Sequence, residues 1–207
     1  QTCALPISFN DEIIKNAIIF ETSRGGQVYF VNNDVASIKG LEARLKRLLP
    51  GLIIKIIHGQ EQTHKIKTKM SEFVSGKIDV LICTSIIEAG IDVANANCII
   101  INNAHFFGLA QLYQMRGRVG RSRRQAHAYL LLPVGYKPAP ATINRLKAIS
   151  ENTRLGSGYN VSRSDMEIRG AGSLFGYKQS GGGGGVGYEM YVKLIQRSLY
   201  ESGSLNT

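Results

Sequence analysis

Residues 111–122 read Gln-Leu-Tyr-Gln-Met-Arg-Gly-Arg-Val-Gly-Arg-Ser, so Arg116, Arg118 and Arg121 are interleaved with Gly117 and Gly120. A guanidinium is a planar fork of donors that keeps its charge at every physiological pH, and it matches the oxygens of a phosphate. Glycine lets backbone and guanidinium approach a bulky anion closely. Upstream, residues 80–92 read Val-Leu-Ile-Cys-Thr-Ser-Ile-Ile-Glu-Ala-Gly-Ile-Asp. Here an apolar run ends in Thr84-Ser85, whose hydroxyls and backbone N–H groups suit a nucleic-acid phosphate. Gly90 and Asp92 then set a carboxylate where it can accept from a ribose hydroxyl or orient an arginine. The chemistry implied by both segments is the handling of phosphate.

Other reactive side chains do not assemble into sites. His105 and His127 have no carboxylate or thiol at ligand spacing, so structural roles are expected and no metal site is assigned. Ser157 and Ser180 lack a nucleophile-elbow context. Asp165 and Glu167 lie two apart, which puts them on different helix faces and makes them a poor acid–base pair. The cysteines Cys3, Cys83 and Cys98 form no C-x-x-C pair, which argues against a disulfide scaffold or zinc site and for a reducing, cytoplasmic setting. Aromatic residues are scattered, with no stacking platform signalled. The sequence contains neither the G-x-x-x-x-G-K-[ST] loop that cradles a triphosphate nor a D-E-x-x box for magnesium.

Charge divides the chain. Residues 1–110 carry 11 basic and 10 acidic side chains, whereas residues 111–207 carry 14 and 5, so the basic half is expected to meet a polyanion. An apolar fraction of 43% over 207 residues supplies a core and excludes wholesale disorder. No apolar run approaches the roughly 18 residues needed to span a bilayer, and the first ten residues lack a secretory pattern.

The elements that must position these groups follow from periodicity. Asn10 is placed to cap a helix carrying Ile13, Ile14, Ala17 and Ile18, and Asp34 a second carrying Ile38, Leu41 and Leu45, stopped by Pro50-Gly51. A third helix is expected over residues 61–74 and a fourth over 109–116. Strands are expected over 27–31, 52–57, 79–83, 98–102 and 126–132. These strands are continuously apolar, as burial on both faces requires, so the fold class is α/β: a parallel sheet with helices on both faces. Ligands in such sheets sit beyond the carboxyl ends of strands, which directs attention to the turns after Val31, Ile57, Cys83 and Ile101. Pro133, Gly135, Pro138 and Pro140 mark a linker, dividing a domain over residues 1–135 from a second over 136–207. The second begins with a helix near residues 142–151 and continues through a short helix over 162–169. A glycine-dense loop, including the five glycines of 181–185, and a closing helix over 188–200 complete it. The five-glycine run reads as a flexible surface loop.

The pattern Q-x-R-G-R-x-G-R of residues 114–121 resembles the sixth motif of superfamily 2 helicases and translocases, and residues 80–92 resemble the fifth. Residues 25–33 and His58-Gly59-Gln60 are similar to the fourth motif and its companion, in the family order. The stretch 102–121, followed by Leu155-Gly156-Ser157-Gly158-Tyr159, residues 165–176 and Gln179-Ser180-Gly181, is similar to the second motor lobe and translocation motif of bacterial transcription-repair coupling factors (Mfd) and of RecG helicases. Asn33-Asp34-Val35 and Ala171 lean toward the former, and the five-glycine run departs from the pattern.

The resemblance implies a second RecA-like lobe, then a helical hairpin and loop as a translocation motif, in an ATP-dependent double-stranded DNA translocase of transcription-coupled repair. It implies nucleotide-binding roles for Gly90, Asp92, Gln114, Arg118 and Arg121. The last two act on the transferring γ-phosphoryl, with Arg121 as the arginine finger. DNA-binding roles fall to Gly59, Thr84 and Ser85, and coupling of hydrolysis to movement falls to Arg169 and Gln179. The implied cofactors are ATP and Mg2+, with the metal held mainly by a first lobe of the same polypeptide; this chain alone is expected to be inactive. RNA polymerase and excision-repair proteins are the implied partners of the full-length protein, and no membrane. Two alternatives stand beside this reading: a RecG-type branch-migration or fork-regression helicase, and a nucleic-acid-binding module without catalysis.

Overall fold

The computed structural model describes residues 2–84, 93–120 and 124–151. The chain divides into two units, residues 1–165 and 166–207, and every described residue belongs to the first. The expected elements beyond residue 151, including the helical hairpin and loop, lie outside the described residues.

Six parallel strands form one sheet: β1 (Thr2–Ser8), β2 (Gln27–Val31), β3 (Ile54–Ile57), β4 (Val80–Cys83), β5 (Ala96–Ile101) and β6 (Ala126–Leu132). Their spatial order is β1-β6-β5-β2-β4-β3. Between them run α1 (Asp11–Ser23), α2 (Val35–Leu48), α3 (Thr63–Val74) and α4 (Leu109–Arg116), and α5 (Pro140–Glu151) follows β6. The strands and helices predicted up to residue 151 are present within about two residues of their expected limits. β1 was not anticipated. It is an edge strand paired with β6 along its whole length, with Pro6 opposite Leu130. An edge tolerates a residue that cannot donate to a ladder on both sides.

Helix starts follow the caps. Asn10 Oδ1 accepts from the backbone N–H of Glu12 at 2.9 Å and of Ile13 at 3.2 Å. The Asp34 carboxylate accepts from Ala36 at 2.9 Å and Ser37 at 3.2 Å. Each cap satisfies two amides that the helix itself leaves unpaired.

Connection order sets the faces. The crossovers from β1 to β2 and from β2 to β3 run one way along the sheet, and the three later ones run back. Right-handed connections therefore place α1 and α2 on one face and α3 and α4 on the other. Alternation along the strands agrees. Val28, Phe30, Val80, Ile82, Cys98 and Ile100 pack with Ile14, Ile18, Ile38, Leu41 and Leu45 of α1 and α2. Tyr29, one residue out of phase, meets Phe73 of α3 edge-on at 4.9 Å. Gln27, buried at the start of β2, donates its amide to the carbonyls of Phe73 at 2.6 Å and Ile78 at 2.7 Å, fixing the return from α3 into β4. α5 packs on β1 and α4.

Candidate functional site

The carboxyl ends of four neighbouring strands align. Register pairs Val31 with both Cys83 and Ile101, and Ile57 with Cys83, so Asn102, Asn32, Thr84 and His58 follow one another across the edge. Asn102 N donates to Val31 O at 2.8 Å and Asn32 N to Cys83 O at 2.8 Å, extending the ladder past the last sheet residues. The side chains continue the row. Asn102 Nδ2 donates to Asn32 Oδ1 at 2.8 Å, and Asn32 Nδ2 donates to Asp34 O at 2.7 Å and Ser37 Oγ at 3.1 Å. Thr84 is buried, and its hydroxyl has no partner among the described residues. A buried hydroxyl without a partner costs about 1–3 kcal/mol, so its retention here suits an external acceptor.

Gly59 is exposed in the turn after β3. That turn is braced by Glu61, whose carboxylate receives Lys69 Nζ at 2.7 Å and lies 3.7 Å from His58 Nε2; Lys69 also donates to Ile56 O at 2.8 Å. α3 begins at this same edge with exposed Lys65 and Lys67 and no side-chain cap at its start. Free amides and lysines there favour an anion. Thr84 and Gly59 thus stand on neighbouring strand ends at the carboxyl edge.

The arginine turn is elsewhere. α4 runs back from the carboxyl edge, and the turn that follows it leads through Gln125 into Ala126, the first residue of β6. It therefore stands at the amino edge of the sheet. The carboxyl-end turns singled out in the sequence do not include this segment: an arginine segment inserted between a returning helix and the next strand must lie at that strand's amino end.

The two described arginines of this segment, Arg116 and Arg118, differ. Arg116 is buried, donates Nη1 to Ile149 O at 3.1 Å and stacks over the Tyr113 ring at 4.8 Å. Burial lowers its pKa, while Tyr113 partly restores it. It is a structural tie between α4 and α5 rather than a phosphate ligand. Arg118 is half-buried, and its guanidinium has no hydrogen-bond or ion-pair partner among the described residues; Gln114 is exposed on the preceding helical turn. Gly120 has φ +84°, a left-handed conformation that a residue with a Cβ adopts only with strain. Thr84 and Val93, which flank residues 85–92, lie at the carboxyl and amino edges respectively. Ser85, Gly90, Asp92 and Arg121 lie outside the described residues, as do Arg169 and Gln179. Of the anticipated residues that are described, Gln114 and Arg118 lie in and just after α4, and Gly59 and Thr84 follow the neighbouring strands β3 and β4.

Residues missed in the sequence belong to both edges. Asn32 and Asn102 each follow a strand directly, a signal that was available. Arg24, after α1, donates Nη2 to Gln125 O at 2.7 Å beside the arginine turn, a contact no local pattern announces.

Of the remaining reactive groups, Ser157, Ser180, Asp165 and Glu167 lie outside the described residues. His105 lies between Phe106 and Tyr136, with ring centroids 4.0 and 4.4 Å away. Burial and Arg145 lower its pKa. His127 meets Phe20 edge-on at 5.7 Å, and burial, then Arg24, lowers its pKa against a raising effect of Glu21. Burial pushes the Cys83 thiol up to about 12 and raises Cys98 as well, so neither is a nucleophile. Among the described residues no three His, Cys, Asp or Glu side chains converge as metal ligands, and no helix is long and apolar enough to cross a membrane.

Residues 10–123 match the helicase conserved C-terminal domain. The chain is 45% identical over 195 residues to the transcription-repair-coupling factor of Myxococcus xanthus, covering 94% of this chain and 16% of that protein. It is 42% identical over 199 residues to that of Rickettsia bellii, covering 96% and 18%. The chain thus spans less than a quarter of the length of these relatives. Among solved structures, RecG bound to a three-way DNA junction superposes with a TM-score of 0.71 at 31% identity, over 95% of this chain and 25% of that one. Yeast Dbp5 L327V bound to RNA and ADP BeF3 shares the fold, with a TM-score of 0.55 at 19% identity over 81% of this chain and 45% of that one. The chain carries the RecA-like helicase C-terminal fold and belongs to the helicase conserved C-terminal domain family.

Proposed function

We propose that this chain is the second RecA-like lobe, with its translocation motif, of an ATP-driven double-stranded DNA translocase acting in transcription-coupled repair. The observation that carries the reading is the separation of two phosphate-suited faces on one sheet. Arg118, without a partner among the described residues, stands at the amino edge; Gly59 and the Thr84 hydroxyl, likewise without one among them, stand at the carboxyl edge. A motor needs both, because hydrolysis at one face must move nucleic acid held at the other. The identity with transcription-repair-coupling factors over more than nine-tenths of the chain supports the repair role.

On this reading nucleotide binds between the amino edge and a first lobe that supplies the phosphate-cradling lysine and the magnesium carboxylate. Gln114, Gly90 and Asp92 orient the nucleotide from this side. Arg118 and Arg121 stabilise charge on the γ-phosphoryl oxygens as the bond to the leaving oxygen loosens, with Arg121 as the finger, an effect on the order of 10³–10⁵ in rate. Closing and opening of the cleft step Thr84, Ser85 and Gly59 along the DNA phosphates. Arg169 and Gln179, in residues 136–207, couple closure to movement. RNA polymerase and excision-repair proteins are engaged through the full-length protein.

The experiment is an ATPase assay on the purified 207-residue chain, alone and joined to a first lobe. Negligible turnover alone and DNA-stimulated turnover when joined is the expected outcome. Robust turnover by the chain alone overturns the half-motor reading. The likeness to RecG over 95% of the chain favours a second reading, fork regression. Regression of model forks in preference to displacement of a stalled polymerase by the joined protein would select it.

A further inference from the structure

Beneath the arginine turn lies a charged group that neither phosphate face uses. Glu21, in the last turn of α1, is fully enclosed. Its Oε2 accepts from Arg24 Nε at 3.0 Å and from Arg24 Nη2, while Oε1 has no partner among the described residues. A Cβ built on Gly26 would come within 1.7 Å of Glu21 Oε1, so the glycine keeps open the space the carboxylate occupies. Arg24 lies over the Phe20 ring at 5.0 Å.

Held in that way, Arg24 reaches across to the other segment. Its Nη2 donates to Gln125 O at 2.7 Å, and Arg124 Nη1 donates back to Arg24 O. Each arginine therefore grips the other segment's backbone. Residues 124 and 125 are where the arginine turn rejoins the sheet at Ala126. The near end of the turn is fixed separately, by Gly117 N to Tyr113 O at 3.0 Å, Arg118 N to Met115 O at 3.1 Å and the buried Val119. With two glycines inside it, the turn needs both ends held if its guanidinium groups are to point one way.

A buried carboxylate–arginine pair is a poor means of gaining stability, because desolvation offsets most of the attraction. Its return is in fixed geometry. We propose that Glu21 and Arg24 are positioning residues for ATP hydrolysis: they fix the backbone of Arg124 and Gln125, and so aim the arginines of the turn at the nucleotide's terminal phosphate. The proposal rests on the nucleotide role assigned above to that turn.

The test uses the intact ATPase of which this chain is a part, with Arg24→Gln, Arg24→Lys and Glu21→Gln, and with Arg121→Ala measured alongside. Arg24→Gln should lower kcat by about 10–100-fold with KM for ATP changed less than about threefold, since misplacement by an ångström is felt mainly in the transition state. Arg24→Lys should recover part of that loss, because an ammonium reaches Glu21 or Gln125 O but lacks the fork for both. A side chain serving folding alone would lower the unfolding temperature and leave kcat of the folded enzyme unchanged. If Arg24→Gln keeps full kcat while Arg121→Ala abolishes hydrolysis, the positioning role is lost and the nucleotide reading stands. If Arg121→Ala also keeps full kcat, the nucleotide reading fails first. Should Arg24→Gln not fold, Glu21→Gln, which retains an acceptor for Arg24, is judged by the same split of kcat from KM.

Discussion

The guanidinium of Arg116 ends on the carbonyl of Ile149, 3.1 Å away, so the helix that leads into the arginine turn is fastened from inside to the helix beyond the proline linker. The carbonyl belongs to α5, so the buried side chain ties α4 to α5 across the seam between them.

Replacing it should therefore act on stability. Arg116→Ala leaves the Ile149 carbonyl buried without this donor and removes the stack on Tyr113, and it is expected to cost about 2–4 kcal/mol. Urea denaturation of the chain measures this as a lower midpoint at unchanged slope. Arg118→Ala, one turn on and without a partner among the described residues, should change stability by less than about 0.5 kcal/mol. Equal losses from the two would show that Arg118 is also structural.

This difference between two neighbouring arginines shows how far the sequence could be read. Leu109, Leu112 and Arg116 lie at i, i+3 and i+7, the buried stripe of a helix, so the inward turn of Arg116 was present in the spacing but outweighed by its charge. Strand and helix order was legible because burial on both faces leaves continuous apolar runs bounded by caps and glycines. β1 was not, because a strand containing Pro6 depends on pairing with β6 and packing against α5, both more than a hundred residues away. The arginine turn was recognised by type and spacing, but its edge of the sheet was not. Its true place follows from counting the direction of α4, not from its residues. The Arg24 and Glu21 clamp joins segments about 100 residues apart and leaves no local mark.

Two glycines should respond in opposite directions. Gly26→Ala forces its new methyl against the buried Glu21 carboxylate, and displacing that group is expected to cost about 1–3 kcal/mol. Gly40 lies within α2 with nothing within 4 Å of a Cβ built on it. Gly40→Ala should stabilise by about 0.5–1 kcal/mol, through lower unfolded-state entropy and better helix propensity. Thermal unfolding of both variants measures the signs, and a destabilised Gly40→Ala would mean that α2 packs against something beyond the described residues.

Acid should weaken the fold through its histidines. Burial lowers the folded pKa of both His105 and His127 below the ordinary 6.5. The unfolded chain then binds more protons than the folded one as pH drops, so stability rises with pH in that range. The contribution is complete above about pH 6.5 and is lost as pH falls from there through the folded pKa. His127→Phe keeps a ring against Phe20 and Tyr129 and removes the titration, so it should flatten the acid limb of a stability–pH curve. A curve unchanged by this substitution would show that His127 titrates alike in both states.

Thr84→Val separates the cost of the carboxyl edge from its use. The two side chains have nearly the same shape, and the Thr84 hydroxyl is buried with no partner among the described residues. Removing a donor that nothing accepts frees the fold of its desolvation cost, so Thr84→Val should be neutral or more stable by up to about 1 kcal/mol. A hydroxyl retained at such a cost should serve a bound phosphate, and the same variant should bind duplex DNA more weakly, by about 3–10-fold for one lost hydrogen bond. The hydroxyl is uncharged and displaces no counterion, so the slope of affinity against salt should not change. Lys67→Ala, at the exposed start of α3, should instead lower that slope by about one unit while leaving stability alone. If Thr84→Val lowers stability and spares affinity, the hydroxyl is held by the protein itself, and the carboxyl edge loses its claim to the nucleic acid.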